Sequence, residues 1–220
     1  MKNLILKTVQ LTLLGVMLFA PISAFSEEDV CAPLKDAQID NNVLAVMLKA
    51  ADDGDLYRIQ PGSSKMGFCI NSPVGKVEAQ FRTFNGGIAL KDNDPKGRAV
   101  VTIDVGSLET SSGIVEAMLK SESFFDSEQY PDIIFVSTDM EWITDKKAIL
   151  KGDLTMRGIT KEVAFFVDLE KVKTKQGEDV VTVKAMTTIQ RSEFDMFTLS
   201  PMVDDRVNLC MTIDAYRYKA

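Results

Sequence analysis

From Leu56 onward the chain alternates apolar and polar residues with a period of two. Successive side chains of an extended strand point to opposite faces, so each such run makes a strand with one apolar side. Met66, Phe68 and Ile70 share a face, and Val77, Ala79 and Phe81 follow. After a change of parity come Phe84, Gly86, Ile88 and Leu90, then Ala99, Val101, Ile103 and Val105. Further runs carry Ile133 and Phe135; Leu150, Gly152, Leu154 and Met156; and Val163, Phe165, Val167 and Leu169. The last two carry Val181, Val183, Ala185 and Ile189, then Val207, Leu209, Met211 and Ile213. Turn signals such as Ser72-Pro73, Asn93-Asp94-Pro95, Arg157-Gly158 and Gln176-Gly177 separate them. The parity change predicts a bulge near Arg82-Thr83.

This pattern makes an all-β domain of about eight antiparallel strands, with one helical insertion at roughly 112–121. Such a sheet must close on itself or fold into a sandwich to remove its edges. A closed barrel of this size either fills with side chains or holds one small ligand. Small inward residues (Ala79, Ala99, Gly152 and Ala185) leave room among Phe and Met, which favours an elongated apolar cavity. Gly158 is expected at positive φ in a tight hairpin.

Residues 118–137, MLKSESFFDSEQYPDIIFVS, interrupt the strand pattern. Pro131 confines Tyr130 to extended backbone, so a helix carrying Met118 and Leu119 has ended by then. The block reads as a short helix over an opening, an aromatic plug (Phe124 and Phe125), and a return into sheet. The plug closes the barrel and touches what it encloses. Arg191 and Asp126 are expected to pair and lock this lid to the barrel.

The chain contains no histidine. Ser-His-Asp and Cys-His relays and His-ligated metal sites therefore cannot be built. No HExxH, P-loop, CxxC or post-strand GxGxxG occurs. Asp153 alternates outward, and no two acids (Glu109, Asp126 and Asp153 included) fall on one inner face. A binding protein without catalytic cofactor or metal is expected, not an enzyme.

The amino terminus reads as a secretory signal peptide, residues 1–26. Lys2 and Lys7 precede the apolar run Leu11–Phe19, Pro21 breaks it, and Ala24-Phe25-Ser26 offers cleavage positions. The expected location is the periplasm, without stable membrane insertion. Taking Lys2 and Lys7 from 25 basic residues leaves 23 against 32 acidic ones, a charge that repels nucleic acid. Residues 27–54 form a helical extension: Ile39, Val43, Met47 and Ala50 recur at helical spacing, Asp40 can cap and Gly54 terminates. This helix, over 34–51, either packs on the main domain or serves as a lid or homodimerisation arm. The barrel domain takes residues 55–220.

In an oxidising compartment the three cysteines become disulfide candidates. Cys69 and Cys210 both lie on the outer face of strands expected to meet at the barrel seam, which makes them one pair. Cys31 tethered to either is the other option.

Several motifs recur in order: Ser107-Leu108-Glu109-Thr110, Met118-Leu119-Lys120-Ser121, Phe124-Phe125-Asp126, Tyr130-Pro131, Ile133-x-Phe135-x-Ser137, Gly152-Asp153-Leu154-Thr155-Met156-Arg157-Gly158-Ile159-Thr160 and Arg191-Ser192-Glu193-Phe194. With these the chain resembles the YceI-like family of periplasmic polyisoprenoid-binding, lipocalin-like barrels, from about Tyr57 to Ala215. The resemblance implies an extended eight-stranded barrel with a helix near one mouth. It also implies a tunnel holding a polyprenyl chain, an isoprenoid quinone or a fatty-acid-like molecule. Ser63 and Ser72 stand where the family often carries histidines, which removes any head-group contact made through them. The cysteines and the helix at 34–51 are additions. The expected tunnel and mouth residues are Met66, Phe68, Ile70, Phe81, Phe84, Val101, Ile103, Leu119, Phe124, Phe125, Phe135, Leu154, Met156, Phe165, Ala185 and Met211. The alternative is a structural or partner-binding protein with a filled barrel, its amino-terminal helix being the interaction surface.

Overall fold

A computed structural model describes residues 41–73, 75–91 and 96–219. The expected signal peptide, the helix start at 34–40 with Asp40, and Cys31 lie outside the described residues.

The first strand is β1 (Leu56–Ile59) continued as β2 (Lys65–Ser72), interrupted by a 3-10 turn over Pro61–Ser63. The second is β3 (Gly75–Phe81) continued as β4 (Phe84–Ala89), and the third is β5 (Arg98–Asp104) continued as β6 (Leu108–Thr110). Helix α2 (Gly113–Lys120) follows. Then come β7 (Asp132–Trp142), β8 (Lys147–Met156), β9 (Ile159–Lys173), β10 (Asp179–Gln190) and β11 (Arg206–Arg217). Each pairs antiparallel with the next, and β11 returns to pair with both β1 and β2. The result is a closed eight-strand up-and-down barrel.

At the seam, Tyr57 to Ile59 pair with Arg217 to Ala215, and Lys65 to Ile70 pair with Thr212 to Val207. The turn between β1 and β2 leaves a gap opposite Asp214. The Gln60 amide donates to the Asp214 carbonyl at 2.9 Å, and the Ser64 hydroxyl accepts the Asp214 amide at 2.9 Å. No backbone group at Asp214 is thereby orphaned by the interruption.

The feature near Arg82-Thr83 is a break rather than a bulge. All three of the first strands stop at one level, and the amides of Arg82 and Thr83 donate to the Ser107 hydroxyl at 3.2 and 2.9 Å. The sheet turns a corner there, and the side-chain parity changes as expected. The bulge itself lies between Ser137 and Asp139 on β7. There the Ser137 hydroxyl, buried in the wall, accepts the Ala99 amide at 2.7 Å.

Arg157 and Gly158, both at positive φ (52° and 70°), join β8 to β9 in a two-residue turn. That is the backbone a primed hairpin turn demands. Gly152 does not open space. A Cβ there would lie 2.5 Å from the Val136 carbonyl oxygen and 2.6 Å from the Phe135 ring. The glycine seats that ring, which meets Phe165 edge-on at a centroid distance of 5.2 Å.

Helix α1 (Asn41–Asp52) covers the outer wall. It ends where expected: Gly54 sits at φ 75°, its amide donates to Ala51, and the Asp55 amide donates to Ala50. This is a Schellman closure. Met47 and Ala50 are buried, and a Cβ on Gly87 of β4 would lie 3.1 Å from both Met47 and Leu56. The helix packs on the domain, the first of its two expected roles. Among the described residues no helix is long and apolar enough to cross a membrane.

The close seat of Phe135 makes Gly152→Ala an overpacking change, with an expected loss of about 1–3 kcal/mol. Urea unfolding checks it, and an unaltered midpoint would show that the wall gives way easily.

Candidate ligand tunnel and its mouth

The strands enclose a cavity of about 350 Å³ that reaches from one end of the barrel to the other. At one end its wall includes Leu90, Gly97, Met140 and Leu169; at the other, Val115, Met118, Met196 and Val203. The lining is almost wholly apolar and includes no Asp or Glu. No acid–base carboxylate pair is therefore assembled around it. Among the described residues, no group of three or more Cys, Asp and Glu side chains is placed to hold a metal ion.

Of the residues named from the sequence, Met66, Phe68, Ile70, Phe81, Val101, Ile103, Leu119, Phe124, Phe125, Phe135, Leu154, Met156, Phe165, Ala185 and Met211 all line this cavity. Phe84 does not. It is fully buried in the packed core where β4 leaves the corner, beside the cavity and not on its wall.

The lid forms as the sequence implies. Ser112 caps α2, accepting the Val115 amide, and Glu116 pairs with Lys120 at 2.9 Å. The chain then folds back, with the Phe125 amide donating to Leu119 and the Tyr130 amide to Asp126. Phe125 drops onto Phe68 and Phe81, with ring centroids 5.7 and 6.0 Å away and the second contact edge-on at 84°. Such aromatic contacts add about 0.5–1.5 kcal/mol each beyond their buried area.

The latch differs from expectation. Arg191 does not pair with Asp126. Arg157, from the β8–β9 turn, donates from Nη1 to the carbonyls of Glu122, at 2.8 Å, and Phe124. Its guanidinium also lies 5.9 Å from the Tyr130 ring centroid. The turn that shapes the hairpin thus holds the lid.

Arg191 has another task. Its side chain is buried, and it donates to the carbonyls of Met196, Thr198 (2.9 Å), Val203 (3.1 Å) and Asp204 (2.9 Å). It thereby folds the whole β10–β11 connection around one cation. Asp205 closes the base of this loop, accepting the Ser192 amide at 2.9 Å and the Ser192 hydroxyl at 2.7 Å. Burial works to raise the Asp205 carboxyl, but the Ser192 hydrogen bonds and the Arg191 charge outweigh it and hold it below the usual aspartate range. Met196, Leu199, Met202 and Val203 from this loop also line the cavity. They were not among the residues expected there. Their signal was an apolar-rich stretch, MFTLSPMV, between two strands.

The expected Cys69–Cys210 disulfide is absent, and both thiols are free. Both cysteines do lie on adjacent strands, but the register sets Cys69 opposite Asn208 and Cys210 opposite Gly67. They are diagonal neighbours two residues out of step. Diagonal Cα atoms sit ~7–8 Å apart, beyond the reach of an unstrained bridge.

A closed antiparallel barrel around an apolar, end-to-end cavity defines a lipocalin-like fold. The model of the YceI-like domain matches residues 57–215, and the chain belongs to that family. A UPF0312 protein of Photorhabdus laumondii is 33% identical over 90 residues, 40% of this chain. The chain spans about half, 46%, of that curated relative's length. Among solved structures, BcnA of Burkholderia cenocepacia superposes with a TM-score of 0.66 at 22% identity, over 71% of this chain and 99% of that one. A polyisoprenoid-binding domain from Saccharophagus degradans gives 0.59 at 11% identity, over 74% of this chain and 98% of its own. At these identities both show the fold alone.

Two outcomes test the latches. Arg157→Ala should speed amide exchange across residues 122–126 about tenfold while β9 and β10 keep their protection; uniform protection throughout would remove its role. The Asp205 carboxyl, lowered on folding, contributes fully above the unfolded aspartate value of ~3.9 and loses that contribution as pH falls through its folded value. Asp205→Asn should therefore flatten the acid limb of the stability–pH curve, measured by urea midpoints between pH 2 and 6.

Proposed function

We propose that this protein is a periplasmic carrier that holds one long-chain apolar lipid inside its barrel. The ligand class is a polyisoprenoid, an isoprenoid quinone or a fatty-acid-like molecule. The observation that carries this reading is the end-to-end cavity with its apolar wall. Its volume of about 350 Å³ falls within the ~300–1,000 Å³ of small-molecule sites. The name of the Saccharophagus neighbour supports the polyisoprenoid class. The amino-terminal signal features support export to the periplasm.

The chemistry is capture by desolvation. Each buried methylene contributes roughly 0.8 kcal/mol, so a chain of ~20 carbons gains about 16 kcal/mol gross. Ordering a flexible chain takes back a large share. With no acid on the wall, the protein discriminates by length and shape more than by head group. The lid, held by Arg157, sets how fast the ligand leaves. A filled barrel with a partner-binding helix finds less support, since the interior is hollow and α1 turns Met47 and Ala50 into the domain, leaving only Val46 and Leu48 as large exposed apolar groups on it.

Organic extraction of the purified protein followed by mass spectrometry should release a stoichiometric long-chain lipid. Ala185→Phe, which adds a ring at the cavity wall, should lower that lipid content severalfold while circular dichroism stays unchanged. An empty extract, together with no uptake of an added polyprenyl or quinone probe, would sink the carrier reading.

A further inference from the structure

The end of the barrel that carries the lid also carries exposed apolar side chains. Phe197 is 59% exposed, Leu199 38% and Met202 63%, all in the β10–β11 loop, and Ile114 at the start of α2 is 85% exposed. Leu199 and Met202 also line the cavity, so the apolar wall continues out through the mouth onto the surface. Large exposed apolar groups are ordinary when scattered singly; gathered around an opening they mark a contact surface.

This surface is held in place. Four carbonyls of its loop are fixed by the buried Arg191 guanidinium, and Asp205 ties the base of the loop to Ser192. Leu199 sits at φ 61°, a region that side chains with a Cβ avoid. The loop therefore presents its apolar groups on a braced backbone. A floppy loop would bury them against the barrel.

Charge decides what this lip can touch. Glu193, Asp195, Asp204 and Asp205 flank it, against Arg157, Arg206 and the buried Arg191, while Glu116 and Lys120 cancel on α2. No basic excess is present to attract anionic lipid. Resting on the carrier reading above, we propose that this lip docks on the surface of a neutral, zwitterionic bilayer. The mouth then opens onto acyl chains, and a water-insoluble ligand enters the tunnel without crossing bulk water. Ile114 and Phe197 act as interfacial anchors, and Leu199 and Met202 form the path between bilayer and tunnel.

The test separates docking from binding. Dansyl-labelled geranylgeraniol is offered to the purified protein from cyclodextrin and, separately, from phosphatidylcholine vesicles. The double variant Ile114→Ser, Phe197→Ser changes two exposed side chains that are not part of the tunnel wall. It should take probe from cyclodextrin as the parent does, but from vesicles about tenfold more slowly. The parent's transfer rate should rise with vesicle concentration and fall when phosphatidylglycerol is added. Equal vesicle rates for parent and variant overturn the lip while leaving the carrier reading standing. A parent rate independent of vesicle concentration, the mark of transfer through bulk water, also overturns it. Self-association of the parent that the variant loses assigns it to a second copy and overturns the proposal too. No uptake from either source overturns the carrier reading and the lip with it.

Discussion

Closure of the sheet at β11 is the constraint on which everything else rests. One edge of β11 serves two strand segments, β1 and β2, and the Ser64 hydroxyl with the Gln60 amide spans the step between them. Backbone donors and acceptors are consumed in the wall, so the interior needs only side chains. With the inward parity apolar on every strand, the enclosed space, not filled by its own side chains, gives ordered water almost nothing to bond.

The protein uses charge at the ends of the barrel, not inside it. Arg157 and Arg191 each bind backbone carbonyls, one in the lid and one in the β10–β11 loop. Arginine suits both tasks because its planar guanidinium offers several donors in fixed directions. A buried cation is costly unless it is hydrogen-bonded; four loop carbonyls meet that need for Arg191, whereas Arg157 binds two lid carbonyls through Nη1 and leaves its Nε unpaired. The two loops that line the lid end of the cavity are thereby ordered without a large core of their own. The outer wall carries a separate addition: α1 buries Met47 and Ala50 against β4, where Gly87 lets it approach.

Much of this was legible in the chain. Alternation placed Met66, Phe68, Ile70, Val101, Phe165 and Met211 on one inner face, and the register puts them there. Pro131, Phe124 and Phe125 marked a lid, and Arg157-Gly158 marked a hairpin. Such signals are local, since the backbone period and the φ preferences of proline and glycine act within a few residues. The family model over residues 57–215 covers the stretch whose motifs carried the resemblance.

Other features arise between segments far apart in sequence, and no local pattern encodes them. A two-residue register offset across β2 and β11 separates Cys69 from Cys210, although each sits on the face its parity assigns. Gly152 looks like spare room until the ring of Phe135 is seen lying on it. Arg191 reaches its own loop and not Asp126, and Arg157 takes the lid instead, because long side chains choose partners only once the barrel has set the distances. The sequence by itself determined an alternating apolar sheet long enough to have to close. Only the tertiary structure decided that the interior stays hollow, which residues brace its ends and where its apolar wall emerges, since volume and reach belong to the assembled wall and not to any one strand.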